Sequence, residues 1–293
     1  MPWDRSLLLI LVGATKVSEI LAVYDSAVKQ TPVISALKGV WEKRSLLKLL
    51  VARDLTVRYK RSVIGIWWSL LNPLFTTAVM FYVFNTVFKS RLPDGQSFLP
   101  YLLSGVLTMT LFNQGLTMAA DSIASGAGVL TKVYVRPEIF AFSATISSAI
   151  NFLFGLIPLT VVLLIFGKHP GIKTPLLLVF MFCMTLFTTG LGLMLAIAYV
   201  NFDDSRSLIN IFLLALQYMT PVFYPISALG PHTQRVIHLN PLTSYLQIFR
   251  DVYGGNATAT VHEWLMMGGT SIFFFVLGFY VFGRTWPKVV AKL

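Results

Sequence analysis

The chain has 293 residues, of which 56% are hydrophobic and 12% are charged, and its mean hydropathy is +0.73. This composition excludes an ordinary soluble domain and indicates a membrane protein. The formal net charge of +11 could indicate a nucleic-acid partner, so the positions of the basic residues have to be considered.

Six long stretches of the sequence contain no charged residue. Each is long enough to cross a bilayer as a helix, which takes roughly 20 mostly apolar residues. The stretches are Ser62–Phe88, Gly95–Ala120, Ile139–Gly167, Thr174–Phe202, Ser207–Pro231 and Trp264–Gly283. They predict an all-α membrane protein whose residues 62–283 form six transmembrane helices, with a short tail at 284–293.

The distribution of basic residues predicts the orientation of these spans. With a cytoplasmic N-terminus and a change of side at every span, 17 of the 23 Lys and Arg residues fall inside and six outside. The positive-inside rule therefore places both termini in the cytoplasm. The basic excess is mostly a topology signal rather than a sign of nucleic-acid binding, and part of it can contact anionic lipid headgroups.

The region before the first span has two parts. Residues 1–32 are expected to form an N-terminal extension, because the apolar run Leu7–Ala14 is short and no convincing signal-peptide cleavage site follows it. Val33–Lys43 has helical periodicity, with Trp41 on the apolar face and lysines on the opposite face. This pattern favours an amphipathic helix lying in the membrane interface.

A basic segment completes region 33–61 immediately before the first span. Four of the nine residues from Arg53 to Arg61 are Arg or Lys. A positive-inside anchor is sufficient to explain them. The alternative is a cationic collar that binds an anionic headgroup, since the planar fork of Arg can hold two phosphate oxygens at once.

The loop 121–138 after the second span is predicted to be cytoplasmic. Asp121 and Ser122 are typical helix-start residues, so a short surface helix is expected before Pro137. Its apolar residues would be exposed unless a soluble partner or the membrane surface covers them. These residues are Val129, Leu130, Val133 and Tyr134.

The predicted external region 221–262 follows the fifth span. Pro221 and Pro225 interrupt that span. The stretch Val236–Phe249 is too polar to cross the bilayer and too apolar to be a free loop. It is therefore expected to form re-entrant or interfacial helices that line a cavity or pack on protein.

Several kinds of chemistry have no signature in the sequence. It contains no G-x-x-x-x-G-K-[S/T] phosphate-binding loop, and its four histidines, all predicted to be external, do not have metal-ligand spacing. The six stretches also lack the ionisable residues that usually mark proton or sodium pathways. We therefore expect neither an enzyme nor a bound cofactor or metal in this chain.

The predicted spans do contain uncharged amides, which can make hydrogen bonds between helices or contact sugar hydroxyls in a pore. They are Asn72, Asn85, Asn113, Gln114, Asn151, Asn210 and Gln217.

Two blocks of sequence resemble the permease subunits of type-2 ABC exporters for lipid-linked polysaccharide, such as O-antigen, capsule, galactan or teichoic acid. The first block runs from Val51 to Pro73 and contains the basic segment. The second contains Pro221-Val-Phe-Tyr224-Pro225, Leu239-Asn240-Pro241 and Phe249-Arg250-Asp251. The resemblance extends from about Leu46 to Gly283.

The resemblance implies a homodimer with a conduit at its interface in the bacterial cytoplasmic membrane, and a separate ATPase subunit, present twice, that binds ATP and Mg. It also implies three sets of functional residues. The cytoplasmic gate and headgroup site maps onto Arg53, Arg58, Tyr59, Lys60 and Arg61. The ATPase-coupling segment maps onto Asp121, Ser122, Ser125, Val129, Leu130, Val133 and Tyr134. The external gate maps onto Pro221, Tyr224, Pro225, Asn240, Pro241 and Arg250.

Other functions remain open at this point. An efflux permease for drugs or small lipids would have the same architecture with a different substrate. A membrane-embedded glycosyltransferase or phosphotransferase would need acidic residues, and Asp203 with Asp204 is the only candidate pair. This pair stands where members of the resembled family often carry Arg-Asp, so no family role is carried over to that turn.

Overall fold

The computed structural model of the chain describes residues 39–60, 62, 64–87, 97–130, 135–202, 204–254 and 258–290. Within these ranges the backbone forms helices, turns and irregular connections, and no strand. The predicted all-α class is therefore confirmed for the described part of the chain.

The principal helices are, in chain order, α1 Arg44–Tyr59, α2 Trp68–Tyr82, α3 Phe98–Leu130, α4 Glu138–Ile165, α5 Leu177–Asn201, α6 Ser205–Met219, α7 Pro231–Leu239, α8 Pro241–Phe249 and α9 Val261–Val290. Short 3₁₀ turns lie at Gly65–Trp67, Thr174–Leu176 and Ile226–Ala228, and π-helical turns lie at Val83–Val87 and Arg250–Gly254.

Three helical segments of the described chain are long and apolar enough to cross a membrane: Glu138–Ile165, Thr174–Asn201 and Val261–Trp286. By contrast, α2 and α6 have 15 residues each, and a helix of that length rises only about 22 Å against a hydrocarbon core of about 30 Å. The count of six spans therefore stays a prediction.

The connections on both sides of α5 are short. α4 ends near Gly167, whose φ of 70° provides the left-handed residue of a helix C-terminus, and the amide of Lys168 donates to the carbonyl of Leu163. The chain is helical again from Thr174. On the other side of α5, only residues 202–204 separate it from α6.

Buried residues form two hydrophobic clusters. The larger one joins α3, α4, α5 and α8 through stacked and edge-on aromatic rings, including Phe187 against Tyr245 at 5.3 Å. The second one joins the start of α4 to α9 and to the segment around α1. Between them, α5 and α9 approach so closely that a side chain at Gly278 would overlap the backbone of Gly190.

The segment before the first predicted span contains a helix, α1, that begins just after the end of the predicted interfacial helix at Lys43. α1 covers most of the basic segment and packs on α4 through residues such as Leu50, which is buried. Residues 33–38 of the predicted interfacial helix lie outside the described residues. Of its described part, Val40 is buried in the second cluster and Trp41 is 71% exposed.

The predicted break after the second span is wrong. α3 continues through Asp121 and Ser122 to Leu130, so these two residues lie inside a 33-residue helix and do not start a new one. The physical reason is close packing on α4, since a side chain at Gly126 would meet the ring of Phe140 at 2.9 Å.

The predicted external helices are present as two nine-residue helices, α7 and α8, that are separated by Asn240. Both begin with a proline, which is favourable at the first position of a helix. α8 is almost entirely buried, whereas most of α7 is exposed. Nine residues rise only about 13 Å, so neither helix can cross a bilayer, and their re-entrant placement stays a prediction.

Candidate functional site

Arg250 is the most deeply buried charged residue of the described chain, with 1% of its surface exposed. Its guanidinium donates to the carbonyl of Pro221 at 3.1 Å, to the carbonyl of Tyr101 at 3.2 Å and to the hydroxyl of Ser104 at 3.3 Å. No described carboxylate forms an ion pair with it. The buried charge is therefore compensated by oriented dipoles of α3 and of the segment after α6.

Tyr101 completes this arrangement, and the sequence analysis did not identify it. Its ring lies 3.5 Å from the Cζ atom of Arg250, and its hydroxyl donates to the carbonyls of Tyr224 at 2.8 Å and Pro221 at 3.2 Å. Buried backbone carbonyls outside a helix need hydrogen-bond donors from elsewhere in the protein. Tyr101 and Arg250 supply those donors to the proline-rich segment after α6.

Asn240 connects the two halves of the second sequence block. Its side-chain oxygen accepts from the amide of Leu242 at 3.0 Å and so caps α8, which begins at Pro241. Its side-chain nitrogen donates to the hydroxyl of Thr220 at 3.0 Å, directly before Pro221. Asn240 thus holds α8 against the end of α6.

Tyr224 and Pro225 lie in the same arrangement. The hydroxyl of Tyr224 donates to the carbonyl of Tyr218, and burial raises the pKa of this phenol. Pro225 has an extended backbone and precedes the 3₁₀ turn Ile226–Ala228. All six residues predicted for the external gate therefore belong to one packed region, which we call the external cluster and to which Tyr101 is added.

Asp251 follows Arg250 in the π-helical turn Arg250–Gly254 and forms an ion pair with Lys173. Its carboxylate accepts from Lys173 at 2.7 and 3.0 Å, and its side chain is 8% exposed. Arg250 and Asp251 are adjacent in the sequence but contact different segments, because the π-helical turn points one toward α3 and the other toward the α4–α5 connection. The segment after α6, the α4–α5 connection and the turn Arg250–Gly254 are therefore held together by the side chains of Arg250 and Asp251.

The predicted cytoplasmic gate residues lie on or just after α1 and have different partners. Arg53 forms an ion pair with Asp54 at 2.8 Å, and Asp54 also accepts from the hydroxyl of Ser143 on α4 at 3.1 Å. Arg58 instead donates to the side-chain oxygen of Gln114 at 3.1 Å and contacts the sulfur of Met118, both on α3.

The structure describes less of the remaining predicted gate residues. Lys60 is exposed. Tyr59 is the last residue of α1, but its side chain lies outside the described residues, and so does the whole of Arg61. The structure brings Arg53 and Arg58 to α1 without joining them to a common partner. Asp54, Gln114 and Met118 were not identified from the sequence.

The residues predicted for ATPase coupling are spread along the end of α3. Asp121 forms an ion pair with Arg206 at the start of α6, and Arg206 also lies over the ring of Tyr199 at 5.5 Å. Ser122 is buried and Ser125 is exposed. Leu130 packs against the second hydrophobic cluster, so it does not belong to an uncovered apolar patch.

Three of the predicted coupling residues have no described side chain. Val133 and Tyr134 lie outside the described residues, and so does the side chain of Val129. The same holds for Asp203 of the acidic pair. Its neighbour Asp204 is exposed and directly precedes α6.

The uncharged amides separate into two groups. Asn72, Asn85 and Asn210 are exposed on the α2 and α6 segments, whereas Asn113, Gln114 and Gln217 are half-buried and Asn151 is buried. α2 and α6 are also the least buried of the helices in the predicted spans. On α6 only Ser205 and Leu213 are buried, and on α2 only Pro73 and Thr77.

Comparison with known proteins places this arrangement in a family. The family model described as ABC-2 type transporter matches residues 45–253. The chain is 28% identical over 224 residues to the O-antigen export system permease protein RfbA of Myxococcus xanthus, covering 75% of this chain and 85% of that protein.

Two further relatives are named for capsular polymers. The polysialic acid transport protein KpsM of Escherichia coli is 19% identical over 217 residues, covering 74% of this chain and 84% of that protein. The capsule polysaccharide export inner-membrane protein CtrC of Neisseria meningitidis is 21% identical over 234 residues, covering 79% and 88%. The matched region contains α1 from residue 45 onward, the basic segment Arg53–Arg61 and the external cluster, and the chain belongs to the ABC-2 type transporter family.

Proposed function

We propose that this chain is the transmembrane permease of an ATP-driven ABC exporter that moves a lipid-linked polysaccharide outward across the bacterial cytoplasmic membrane. The observation that carries the proposal is the family match over residues 45–253 together with relatives named for O-antigen and capsule export. The substrate class includes O-antigen, capsule, galactan and teichoic acid polymers. Both termini are proposed to be cytoplasmic.

Energy for transport is proposed to come from a separate ATPase subunit, present in two copies, that binds ATP and Mg. The sequence contains no phosphate-binding loop of its own, so the permease contributes a path and not catalysis. The proposed contact with the ATPase is the end of α3 and the residues that follow it, from Asp121 to Tyr134.

The proposed assembly is a homodimer with the conduit between its copies. The exposed faces of α2 and α6 support this proposal, because they combine aromatic side chains with Asn72, Asn85 and Asn210. An amide that faces lipid loses its hydrogen bonds to water. A second copy and a hydrated conduit would give these amides partners, and the same amides and aromatic rings would contact the passing sugars.

The ends of the path are proposed to be the two gate regions. The cations of α1 and of the residues after it would receive the phosphate of the lipid carrier, because Arg and Lys bind phosphate strongly in partly dehydrated sites. The external cluster would form the exit, held to α3 by Arg250 and Tyr101.

A localisation experiment tests the proposal. Cells depleted of this chain are extracted, and the face of the cytoplasmic membrane on which lipid-linked glycan accumulates is assayed. Polymer retained on the cytoplasmic face is the expected result. Normal polymer on the outer face would contradict polysaccharide export and favour a drug or small-lipid pump, whereas absence of any polymer would favour a glycosyl- or phosphotransferase.

A further inference from the structure

Arg58 is held to α3 by two uncharged acceptors. Its guanidinium donates to the side-chain oxygen of Gln114 at 3.1 Å and contacts the sulfur of Met118. Gln114 and Met118 lie one helical turn apart on α3, in a stretch with no charged residue. Nothing in the proposed transport path requires an amide and a thioether at these two positions.

The contrast with Arg53 shows what is unusual about this contact. Arg53 has a carboxylate partner, Asp54, and that carboxylate is fixed by Ser143. The described residues offer no carboxylate within ion-pair distance of Arg58. A phosphate carries a negative charge that Gln114 and Met118 lack, and its oxygens match the planar fork of Arg, so a phosphate that reaches Arg58 can replace these two acceptors.

The helix that carries Gln114, α3, also makes side-chain contacts with α6 and with Arg250. Seven residues further on, Asp121 pairs with Arg206 of α6, and α3 then continues without interruption to Leu130. At its other end, Tyr101 and Ser104 bind Arg250. The contacts of Arg58 with Gln114 and Met118 join this same helix to α1.

We propose that Gln114, assisted by Met118, is a positioning residue that latches α1 to α3 in the empty transporter, and that the phosphate of the lipid-linked substrate opens this latch by taking Arg58. Opening frees α3 to follow the ATPase, so hydrolysis of ATP becomes dependent on substrate. This inference rests on the proposed function, since it requires an anionic lipid substrate and an ATPase partner.

The experiment uses the complete transporter, with its ATPase, reconstituted in nanodiscs. ATP hydrolysis is measured against increasing amounts of undecaprenyl phosphate, with the uncharged undecaprenol as the probe that lacks phosphate. In the wild type, hydrolysis is expected to rise with the phosphate lipid and to stay at its basal rate with the alcohol.

Gln114→Glu is the decisive variant. It keeps the size of the side chain but gives Arg58 a carboxylate partner, so the phosphate lipid must compete with an ion pair. The concentration needed for half-maximal stimulation is expected to increase by up to about fivefold, because an ion pair at an exposed arginine such as Arg58 contributes a factor of about that size. Gln114→Leu removes the acceptor and is expected to raise basal hydrolysis and to reduce its stimulation.

Two controls separate the latch from a structural effect. Gln234→Glu places a carboxylate on a half-buried amide of α7, which donates to the carbonyl of Leu229 and not to Arg58, and is expected to leave the stimulation curve unchanged. In the background of Arg58→Gln, the Gln114→Glu change is expected to have no further effect on stimulation. Co-elution with the ATPase and the thermal unfolding midpoint are recorded for every variant.

The outcomes are distinguishable. A wild type that responds to the phosphate lipid, with Gln114→Glu folded and responding at the same concentrations, would overturn the latch and leave the proposed function intact. A wild type that assembles with its ATPase but ignores the phosphate lipid would overturn the latch, and the location of lipid-linked glycan in depleted cells would then decide the proposed function separately. An equal shift in Gln234→Glu would show that an added carboxylate anywhere in the protein, and not the Arg58 contact, causes the effect.

Discussion

The guanidinium of Arg250 lies 3.5 Å over the ring of Tyr101 and also donates to the carbonyl of the same residue. The hydroxyl of that ring reaches in turn to the carbonyls of Pro221 and Tyr224. Two side chains from distant parts of the sequence therefore satisfy the backbone of a proline-interrupted segment. This relationship leads directly to two predictions about the stability of the external cluster.

Arg250→Lys is expected to destabilise the protein although it keeps the positive charge. A lysine amine is a point donor and cannot reproduce the planar fork that binds three acceptors and stacks on an aromatic ring. Hydrogen bonds from a charged donor contribute about 1.5–3 kcal/mol each, so the loss of two of them is expected to cost about 3 kcal/mol or more. Thermal unfolding in detergent measures it.

The matched control for this change is Arg235→Lys on α7. Arg235 is exposed, so its replacement is expected to leave the unfolding midpoint unchanged. Equal midpoints for Arg250→Lys and the wild type would show that the buried fork does not stabilise the cluster.

Tyr101→Phe is expected to cost less than Tyr101→Leu. The phenylalanine keeps the ring under Arg250 but removes the hydroxyl from two carbonyls, a loss of about 1–2 kcal/mol. The leucine also removes the cation–π contact, which adds roughly 1–2 kcal/mol at a dehydrated site. The free energy of unfolding of both variants decides the order.

The control for the hydroxyl is Tyr218→Phe, because Tyr218 is exposed and its hydroxyl has no hydrogen bond in the described structure. It is expected to behave like the wild type. If Tyr101→Phe does so as well, the hydroxyl of Tyr101 does not stabilise the external cluster.

Gly278→Ala is expected to disrupt the packing of α9 on α5. The added carbon would overlap the carbonyl of Gly190, which is rigid helix backbone and cannot move aside as a side chain can. Overpacking typically costs about 1–3 kcal/mol, and the upper end or more is expected here. The yield of monodisperse protein and its unfolding midpoint measure the effect.

Gly268→Ala provides the comparison on the same helix. No other residue approaches that position closely, so the change is expected to be neutral or slightly stabilising through helix propensity. A neutral result for both glycines would mean that α5 and α9 do not approach each other as closely as described.

Asn240→Asp and Asn240→Ala separate the two contacts of Asn240. The aspartate keeps the acceptor that caps α8 but loses the donor to Thr220, whereas the alanine loses both. We expect the alanine to lose about 1 kcal/mol more than the aspartate, the usual value of a helix cap. Unfolding midpoints of the two variants measured side by side test this, and a reversed order would contradict the capping role.

Sequence reasoning was most successful where a property is local. Apolar stretches, proline breaks and the two family blocks can be read from neighbouring residues, and they predicted the helical class and the presence of helices within Val236–Phe249. It failed at Asp121, where helix-start residues continue a helix because α4 packs closely on Gly126.

It also missed the partners of the charged residues. Nothing in the local sequence links Tyr101 to Arg250, or Gln114 to Arg58, since these pairs are separated by 149 and 56 positions.

The sequence by itself therefore determined that this is a helical membrane protein of a recognisable transporter type, because burial in lipid imposes long uncharged stretches that composition reveals. Only the tertiary structure decided the surroundings of each cation. Arg53 pairs with a carboxylate, Arg58 is held by uncharged acceptors and Arg250 is buried among carbonyls, although all three are arginines. What distinguishes them is the set of acceptors that helix packing brings within 3.5 Å, and distance in space cannot be read from order along the chain.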